Sequence, residues 1–190
     1  MASFLQDQFP ELPRESKIID FGCGTGLAGE QLALLGFTTI DGNDGSEEML
    51  EIAKKKTCYR KLFPMIVGND HIPADLERDY DLVVSTGCLV RDHFPNTCFN
   101  DFLEVLKPGG LLAITSREVY LHNESDNGMD YIGVLRTLCD RALAEEPLAE
   151  DASEKKLTFL KERKFRKYDG LEEIEGVHQE DARVLIYRKN

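Results

Sequence analysis

Residues 18–29 read IIDFGCGTGLAG, an apolar run that ends in a cluster of glycines and leads into a helical pattern. This order predicts a strand, a tight turn and a helix. Glycine is needed where the backbone takes a positive φ or where a ligand approaches with no Cβ in the way. The N-terminus of the helix then offers free N–H donors. The segment therefore predicts a ligand site at the end of the first strand.

The rest of the chain continues this alternation of apolar runs and helical patterns, which is typical of βαβ units around a parallel sheet. The predicted fold is α/β: a Rossmann-like three-layer sandwich with a seven-stranded, mostly parallel sheet and an antiparallel last strand. The strands are expected at residues 17–21, 37–40, 63–67, 81–85, 111–115, 164–168 and 182–189.

Helical patterns fill most of the intervals between these strands. Helices are expected at residues 28–35, around 99–106 and at 129–144. Another is expected to begin after an N-cap at Ser46 and to bury Met49, Leu50 and Ile52. Residues 119–128 are expected to form a polar loop that covers a substrate. The acidic stretch 145–154 and the basic stretch 155–167 read as an exposed loop followed by a solvated element.

Composition narrows the function classes. The 190 residues carry a net charge of −12, which argues against a general electrostatic grip on nucleic acid or on an anionic membrane. No run of 18 apolar residues occurs, so no membrane-spanning helix is expected. The five cysteines form no C-x-x-C pair, which makes a zinc site or a disulfide framework unexpected. Free thiols in a reducing cytosol, and hence a cytoplasmic protein, are the simplest interpretation.

Two ligand classes use a glycine turn of this kind. Residues 24–29 fit G-x-G-x-x-G, the dinucleotide fingerprint, while Gly22, Gly24 and Gly26 fit the turn that binds S-adenosylmethionine. Asp44 lies twenty residues after Gly24 and could bind a ribose diol in either class. Asp20 favours the second class, because a carboxylate repels a pyrophosphate and attracts the ammonium and sulfonium of S-adenosylmethionine. This interpretation expects both carboxylates at one cleft.

Four segments in order carry a resemblance: IIDFGCGTG, DGSEEML, YDLVVSTG and LKPGGLLAIT. Together they resemble a class I S-adenosylmethionine-dependent methyltransferase. The stretch STGCLVRDHFPNTCFNDFLEVLKPGGLLAITSRE is most similar to the methyltransferase-like group that includes the Williams–Beuren syndrome region protein twenty-seven. The resemblance implies a single methyltransferase domain over residues 1–190. Within it lie a short extension at 1–16, a cofactor-binding core at 17–118 and a C-terminal part at 119–190.

The resemblance also implies which residues hold the cofactor, all at the carboxyl ends of strands. The methionine part of the cofactor would contact Asp20, Gly22 and Gly24, and the ribose would contact Asp44. The adenine would lie near Gly45, Met49 and either Asn69 or Asp70. Thr86 and Gly87 would face the substrate.

Methyl transfer needs alignment of donor and acceptor and exclusion of water, and a base only if the acceptor must lose a proton. No catalytic residue is assigned, and no metal is expected. His93 and Arg117 are weak candidates, followed by Asp92 and His122. Each of the four is equally well explained as a surface loop residue. The Asn-Pro-Pro-Tyr motif of amide and nucleobase methylators is missing after the fourth strand, where residues 85–88 read STGC. An unidentified small-molecule acceptor is therefore expected.

Two alternatives remain. Only 16 residues precede the first predicted strand, whereas members of the resembled family have a longer helical segment there. A shortened lid would suit a non-catalytic S-adenosylmethionine-binding protein. The second alternative, a nicotinamide dinucleotide oxidoreductase, depends only on the overlapping G-x-G-x-x-G match. The sequence leaves the oligomeric state open.

Overall fold

The computed structural model describes residues 1–90, 92–121, 130–139, 156–165 and 182–190. The strands in these ranges are β1 (Lys17–Phe21), β2 (Thr39–Asp44), β3 (Lys61–Pro64), β4 (Tyr80–Thr86), β5 (Leu106–Arg117), β6 (Leu157–Phe165) and β7 (Ala182–Lys189). The helices are α1 (Ala2–Gln8), α2 (Leu27–Leu34), α3 (Glu47–Lys54), α4 (Cys98–Val105), α5 (Glu118–Leu121) and α6 (Tyr131–Leu138).

The seven strands form one sheet in the order β3-β2-β1-β4-β5-β7-β6. Strands β1 to β5 pair in parallel, and β7 runs antiparallel to both β5 and β6. The predicted fold, mostly parallel with an antiparallel last strand, is confirmed. From β1 the chain builds outward through β2 and β3, then crosses back to β4. The carboxyl ends of β1 and β4 therefore form the switch point at which open α/β sheets bind ligands.

Apolar side chains cover both faces of the sheet, because β1 and β4 are continuous apolar runs of the kind found in the middle of a parallel sheet. On one face Phe21 and Phe102 stack with their ring centroids 5.2 Å apart, and α4 and α6 pack around them. On the other face α1 and α2 pack over Ile18 and Ile40. These are the three layers that the alternating pattern predicts.

The predicted bounds of β2 and β3 were wrong. Strand β2 covers Thr39–Asp44 instead of 37–40, because the parallel ladder with β1 continues through Gly42 and Asn43 despite their low strand propensity. Strand β3 covers Lys61–Pro64 instead of 63–67. Pro64 has no N–H to donate, so the ladder ends there.

The predicted sixth strand at 164–168 was also misplaced. Strand β6 covers Leu157–Phe165 and pairs with β7 from Leu157 opposite Lys189 to Phe165 opposite Ala182. The lysines and arginines of this segment had indicated an exposed, solvated element. An edge strand tolerates such charged side chains because its outer side faces water.

The helices also depart from the predicted pattern. Ser46 caps α3 as predicted, its Oγ accepting the Met49 N–H at 3.2 Å. Leu50 is buried with Ala53, whereas Met49 and Ile52, both predicted to be buried, are 42% and 44% exposed. Helix α6 is described over Tyr131–Leu138, and the rest of the predicted helix 129–144 lies outside the described residues.

The predicted loop at 119–128 begins instead with the short helix α5, and its residues from 122 onward lie outside the described residues, as does the acidic stretch 145–154. All five cysteines lie within the described ranges, and none is in a disulfide. Within the same ranges, no helix has the length and hydropathy needed to cross a membrane.

Candidate cofactor site

The glycine turn joins β1 to α2 at the switch point of the sheet. Gly22 has φ +71°, and a Cβ there would meet the thiol of Cys88 and lie 2.9 Å from Cζ of Phe94. Gly24 has φ +53°, and a Cβ there would meet no atom within 4 Å. Two different causes therefore require glycine: a close approach of neighbouring side chains at Gly22, and a left-handed backbone beside open space at Gly24.

Asp44 ends β2 and holds the turn in place. Its Oδ2 accepts the Gly24 N–H at 2.8 Å, and its Oδ1 accepts the Ser46 N–H at 2.9 Å. A carboxylate has about four lone-pair positions, so each oxygen keeps the capacity to accept one more hydrogen bond. The side chain is thus fixed in position by the backbone and still able to bind a pair of hydroxyl groups.

A cavity of about 190 Å³ lies in front of Asp44. Gly22 and Gly45 line it together with Asp44, so the structure brings these three predicted residues to one place. The remaining lining residues are Met65, Ile66, Val67, Cys88, Asp92, His93 and Phe94.

The Asp20 carboxylate lies beneath the turn and does not line this cavity. Asp20 is 0% exposed, and the Tyr59 hydroxyl donates a hydrogen bond to its Oδ2 at 2.7 Å. Its Oδ1 is buried and has no hydrogen-bond partner among the residues that the structure describes. The pKa of Asp20 is raised to about 7: burial is the main cause, the Asp44 charge adds to the rise, and the Tyr59 and Gly29 hydrogen bonds oppose it. The two carboxylates therefore do not share one cleft as expected: Asp44 lines the cavity, and Asp20 does not.

The segment after β3 forms the far wall of the cavity and is tied down at both ends. The Asn43 side-chain amide donates to the carbonyls of Phe63 and Met65, each at 2.9 Å. At the other end, the Asp101 carboxylate on α4 accepts the Gly68 N–H at 2.6 Å. These contacts hold Met65 and its neighbours close to Asp44.

The residues predicted to lie near the adenine do not all meet at this wall. Asn69 and Asp70 are exposed and do not line the cavity. Asp70 stabilises the turn after β3, because its Oδ2 accepts the Ile66 N–H at 2.6 Å. Met49 is also outside the cavity, on the exposed side of α3.

A second cavity, of about 320 Å³, lies on the other side of the glycine turn. Thr86, at the end of β4, borders it, and the Thr86 hydroxyl lies 3.6 Å from the sulfur of Met1. Cys88, two residues further on, borders the first cavity. Gly87 between them has φ +74°, and a Cβ there would meet no atom within 4 Å. The position between Thr86 and Cys88, which we call the rim, therefore carries no side chain.

The weak catalytic candidates lie in different places. His93 and Asp92 are exposed and line the first cavity. Arg117 ends β5, with its guanidinium 5.8 Å from the Tyr120 ring centroid, and borders neither cavity. His122 lies outside the described residues. No group of side chains in the described ranges could hold a metal ion.

Sequence reasoning missed six residues of this region: Tyr59 beneath the turn, and Met65, Ile66, Val67, Cys88 and Phe94 at the first cavity. Burial raises the pKa of Cys88 to about 12, so this thiol is neutral at physiological pH. Phe94 and Cys88 both approach Gly22, and only the three-dimensional contact reveals it. For Tyr59 one signal existed, the unexplained Gly29 in the helix after the turn, where an added Cβ would meet the Tyr59 ring.

Comparison with known proteins identifies the family. A family described as "Methyltransferase domain" matches residues 1–168. Human methyltransferase-like protein 27 is 32% identical over 137 residues, which cover 72% of this chain and 53% of that protein. The malonyl-[acyl-carrier protein] O-methyltransferase of Priestia megaterium is 25% identical over 160 residues, covering 72% of this chain and 56% of the enzyme. The chain spans about half the length of these relatives.

Solved structures agree with the fold. A TehB-like SAM-dependent methyltransferase from Corynebacterium glutamicum superposes with a TM-score of 0.63 at 21% identity, over 100% of this chain and 87% of that one. The N-methyltransferase NodS from Bradyrhizobium japonicum gives 0.65 at 15% identity, over 99% and 93%. The family match and the shared fold place this chain in the methyltransferase domain family, among the class I S-adenosylmethionine-dependent methyltransferases.

Proposed function

We propose that this protein transfers a methyl group from S-adenosylmethionine to a small-molecule acceptor. The observation that carries the proposal is the Asp44 carboxylate, fixed by two backbone amides at the wall of a cavity that Gly22 also lines. A carboxylate with spare acceptor capacity beside a glycine turn suits a ribose diol. Membership of the methyltransferase domain family supplies the reaction class.

The residues present fit the cofactor in three parts. Asp44 would bind the ribose hydroxyls, and Gly45, Met65 and Phe94 would surround the adenine. The open space beside Gly24 and Gly87 leaves room for the methionine part, because neither position carries a side chain. Asn69, Asp70 and Met49 stay predictions for the adenine edge.

Charge favours this cofactor over a dinucleotide. Asp20 and Asp44 place two carboxyl groups near the turn, and a pyrophosphate there would face repulsion from both. The sulfonium and ammonium of S-adenosylmethionine are attracted instead. The third glycine of the dinucleotide fingerprint, Gly29, has another explanation, because its missing side chain makes room for the Tyr59 ring.

When bound, S-adenosylmethionine supplies a methyl carbon already activated by its sulfonium. The protein's own part is then to hold the acceptor in line and to exclude water. The second cavity, next to Thr86 and across the bare rim at Gly87, suits the acceptor. Helix α1 covers this cavity through Met1, Ala2 and Ser3.

One observation favours the alternative of a non-catalytic S-adenosylmethionine-binding protein. The residues that line the second cavity include no carboxyl, imidazole or lysine side chain: Met1, Ala2, Ser3, Leu27, Ala28, Gln31, Leu35 and Thr86. An acceptor that must lose a proton would find no side-chain base among them, although His93 borders the neighbouring cavity. Methyl transfer to an acceptor that is already nucleophilic needs no base, so the methyltransferase remains our first proposal.

The experiment is a binding measurement followed by an activity measurement. Isothermal titration with S-adenosylhomocysteine should give a Kd that Asp44→Ala weakens at least 100-fold, because two turn contacts and the ribose contacts are lost together. The charge-matched control is Asp75→Ala, an exposed carboxylate outside both cavities, which should leave the Kd within twofold. Binding of NAD instead, with none of S-adenosylhomocysteine, would overturn the proposal.

Activity separates the two candidate functions. Labelled methyl donor incubated with a small-molecule cell extract should transfer label in the presence of the wild-type protein and not of Asp44→Ala. Intact binding with no transfer to any extract fraction would favour the non-catalytic protein. A cytoplasmic location is a further proposal, supported by five cysteines that form no disulfide, and fractionation of cells would test it.

A further inference from the structure

Tyr59 occupies an unusual place beneath the glycine turn. Its ring is close to three glycines on different elements: an added Cβ would lie 3.0 Å from the ring at Gly26, 2.7 Å from Cε1 at Gly29 and 3.0 Å at Gly42. These glycines belong to the end of the turn, to α2 and to β2. One aromatic ring thus fills the space where the turn, a helix and a strand converge.

The hydroxyl of the same side chain reaches a fourth element. It donates at 2.7 Å to Asp20 on β1, two residues before Gly22. Asp20 and Gly42 are opposite each other in the parallel ladder of β1 and β2, so both face the ring on the same side of the sheet. Tyr59 itself belongs to the connection between α3 and β3, which borders neither of the two cavities.

We propose that Tyr59 is a positioning residue for the cofactor: its ring supports the glycine turn from below, and its hydroxyl holds the Asp20 carboxylate where its charge acts on the cation bound above. The inference rests on the proposed function, because it assigns Tyr59 and Asp20 to the same cofactor site. Neither side chain touches the cofactor. Asp20 acts by charge through the interior, where water screens little.

The unpartnered Oδ1 of Asp20 supports this assignment. A buried carboxyl oxygen without a hydrogen bond costs stability, and a structural aspartate would normally be completed by a cation or a second donor. The Tyr59 hydroxyl and the Gly29 backbone supply hydrogen bonds to Asp20 but no positive charge. A bound ammonium or sulfonium supplies the missing positive charge.

The protonation of Asp20 gives the proposal its own signature. Its pKa of about 7 means that the carboxyl of the unliganded protein is partly protonated near neutral pH. A bound cation favours the charged form, so affinity should rise with pH up to about 7 and then level off. The titratable groups that interact with Asp20 are Tyr59, Asp44, Cys23, Cys58 and Cys88, and the ion pair of Lys56 with Glu30 lies near Cys58.

Most of these neighbours do not titrate in that range. Burial raises the pKa of each of the three thiols and of the Tyr59 hydroxyl, so all four stay neutral at pH 7. Lys56 and Glu30 compensate each other at 2.8 Å. Asp44 is the remaining charged neighbour, and its loss is tested separately above.

The test compares Tyr59→Phe with Tyr80→Phe. Tyr80 also donates a hydrogen bond to an aspartate, Asp41, at 2.6 Å. It begins β4, six residues before Thr86, which puts its backbone about 20 Å from Thr86 at 3.3 Å per residue. Both variants keep the ring and lose one hydroxyl. Tyr59→Phe should weaken S-adenosylmethionine binding five- to tenfold at pH 8, and Tyr80→Phe should leave it within twofold.

The pH profile of S-adenosylmethionine affinity provides the readout that a purely structural role would not change. In Tyr59→Phe the carboxylate loses its donor, so the pKa of Asp20 should rise and the inflection should move to higher pH. In Tyr80→Phe it should stay in place. Asp20→Asn should remove the inflection.

A measurement that does not depend on binding tests directly whether Tyr59 supports the turn. Hydrogen exchange of the Gly24 and Gly26 amides in the cofactor-free protein should be faster in Tyr59→Phe than in Tyr80→Phe. Equal affinities and equal profiles in the two variants would overturn the inference while leaving the proposed function intact. Failure of the wild-type protein to bind S-adenosylmethionine would overturn both.

Discussion

Two buried aspartates lie on adjacent strands of this sheet, and their surroundings differ. Asp20 on β1 and Asp41 on β2 are 0% and 1% exposed, and each accepts a hydrogen bond from a tyrosine hydroxyl, at 2.7 Å from Tyr59 and 2.6 Å from Tyr80. Asp41 also accepts two bonds from Arg60, at 3.0 Å and 2.6 Å. Within the described part of the chain Asp20 has no such cation, and one of its oxygens accepts no hydrogen bond.

The difference separates a structural carboxylate from one available to a ligand. A buried charge is tolerated when it is paired and fully hydrogen bonded, and Asp41 meets both conditions. Asp20 lies under the turn that is proposed to bind a cation and meets neither. The incomplete pair costs stability in the empty protein, as functional sites often do. We therefore infer that Asp41 stabilises the sheet, and that Asp20 serves binding.

The largest effect is expected when the complete pair is broken. Arg60→Leu leaves Asp41 buried with Tyr80 alone and should lower the free energy of unfolding by about 3 kcal/mol, at the low end for such losses because the Arg60 side chain is 36% exposed. Urea unfolding at pH 7 measures it. The cofactor affinity of the variant molecules that remain folded should not change. A loss of that affinity would contradict a purely structural role for the Asp41 pair.

A substitution in the incomplete pair of Tyr59 and Asp20 is expected to raise the free energy of unfolding. The folded-state pKa of Asp20 is about 7, above the usual aspartate value of 3.8. The proton bound by the folded state stabilises the protein at low pH, and this stabilisation is lost as pH rises through 7. Asp20→Asn should therefore stabilise the cofactor-free protein at pH 8 by roughly 1–4 kcal/mol, with the gain fading towards pH 4. Thermal unfolding across pH checks this, and a variant less stable than wild type at pH 8 would contradict it.

A smaller effect is expected in the turn above Asp20. Gly24→Ala places a Cβ in open space but forces alanine to φ +53°, which should cost about 1–2 kcal/mol of stability. The same Cβ should weaken S-adenosylhomocysteine binding by more than tenfold, because it enters space proposed for the methionine part. Loss of stability alone, with binding unchanged, would place the ligand elsewhere.

The smallest change is expected at the start of α3, outside both tyrosine–aspartate pairs. Ser46→Ala removes the hydroxyl that accepts the Met49 N–H and should cost about 1 kcal/mol. The Ser46 backbone N–H still donates to Asp44, so cofactor affinity should stay within threefold. A thermal shift series with and without S-adenosylhomocysteine separates the two quantities.

The sequence was most informative where local pattern determines structure. The bounds of β1 and β7, the Ser46 cap and the glycine turn all follow from neighbouring residues, and all were predicted correctly. Four motifs in order were enough to identify the family. Strand β2 was predicted too early because its ladder with β1 extends through residues of low strand propensity, which local pattern does not predict.

The buried carboxyl environments could not be read in this way. Tyr59 and Asp20 are 39 residues apart, and so are Tyr80 and Asp41, so neither pair leaves a local signal. The sequence predicts that the charge of an acid before the first glycine favours the cofactor, and this stays a prediction; it could not show that the acid is fully buried. Phe94 and Cys88 likewise reach Gly22 from a different strand end.

The strand order has a consequence for biosynthesis. Strand β7 lies between β5 and β6, although the ribosome makes β6 first. In the finished sheet β7 is the strand beside β6, so a nascent chain can assemble β1 to β5 before β6 has its neighbouring strand. During that interval β5 presents an open edge. Chaperones that shield unpaired strands would therefore protect this protein most in the moments before its last strand emerges.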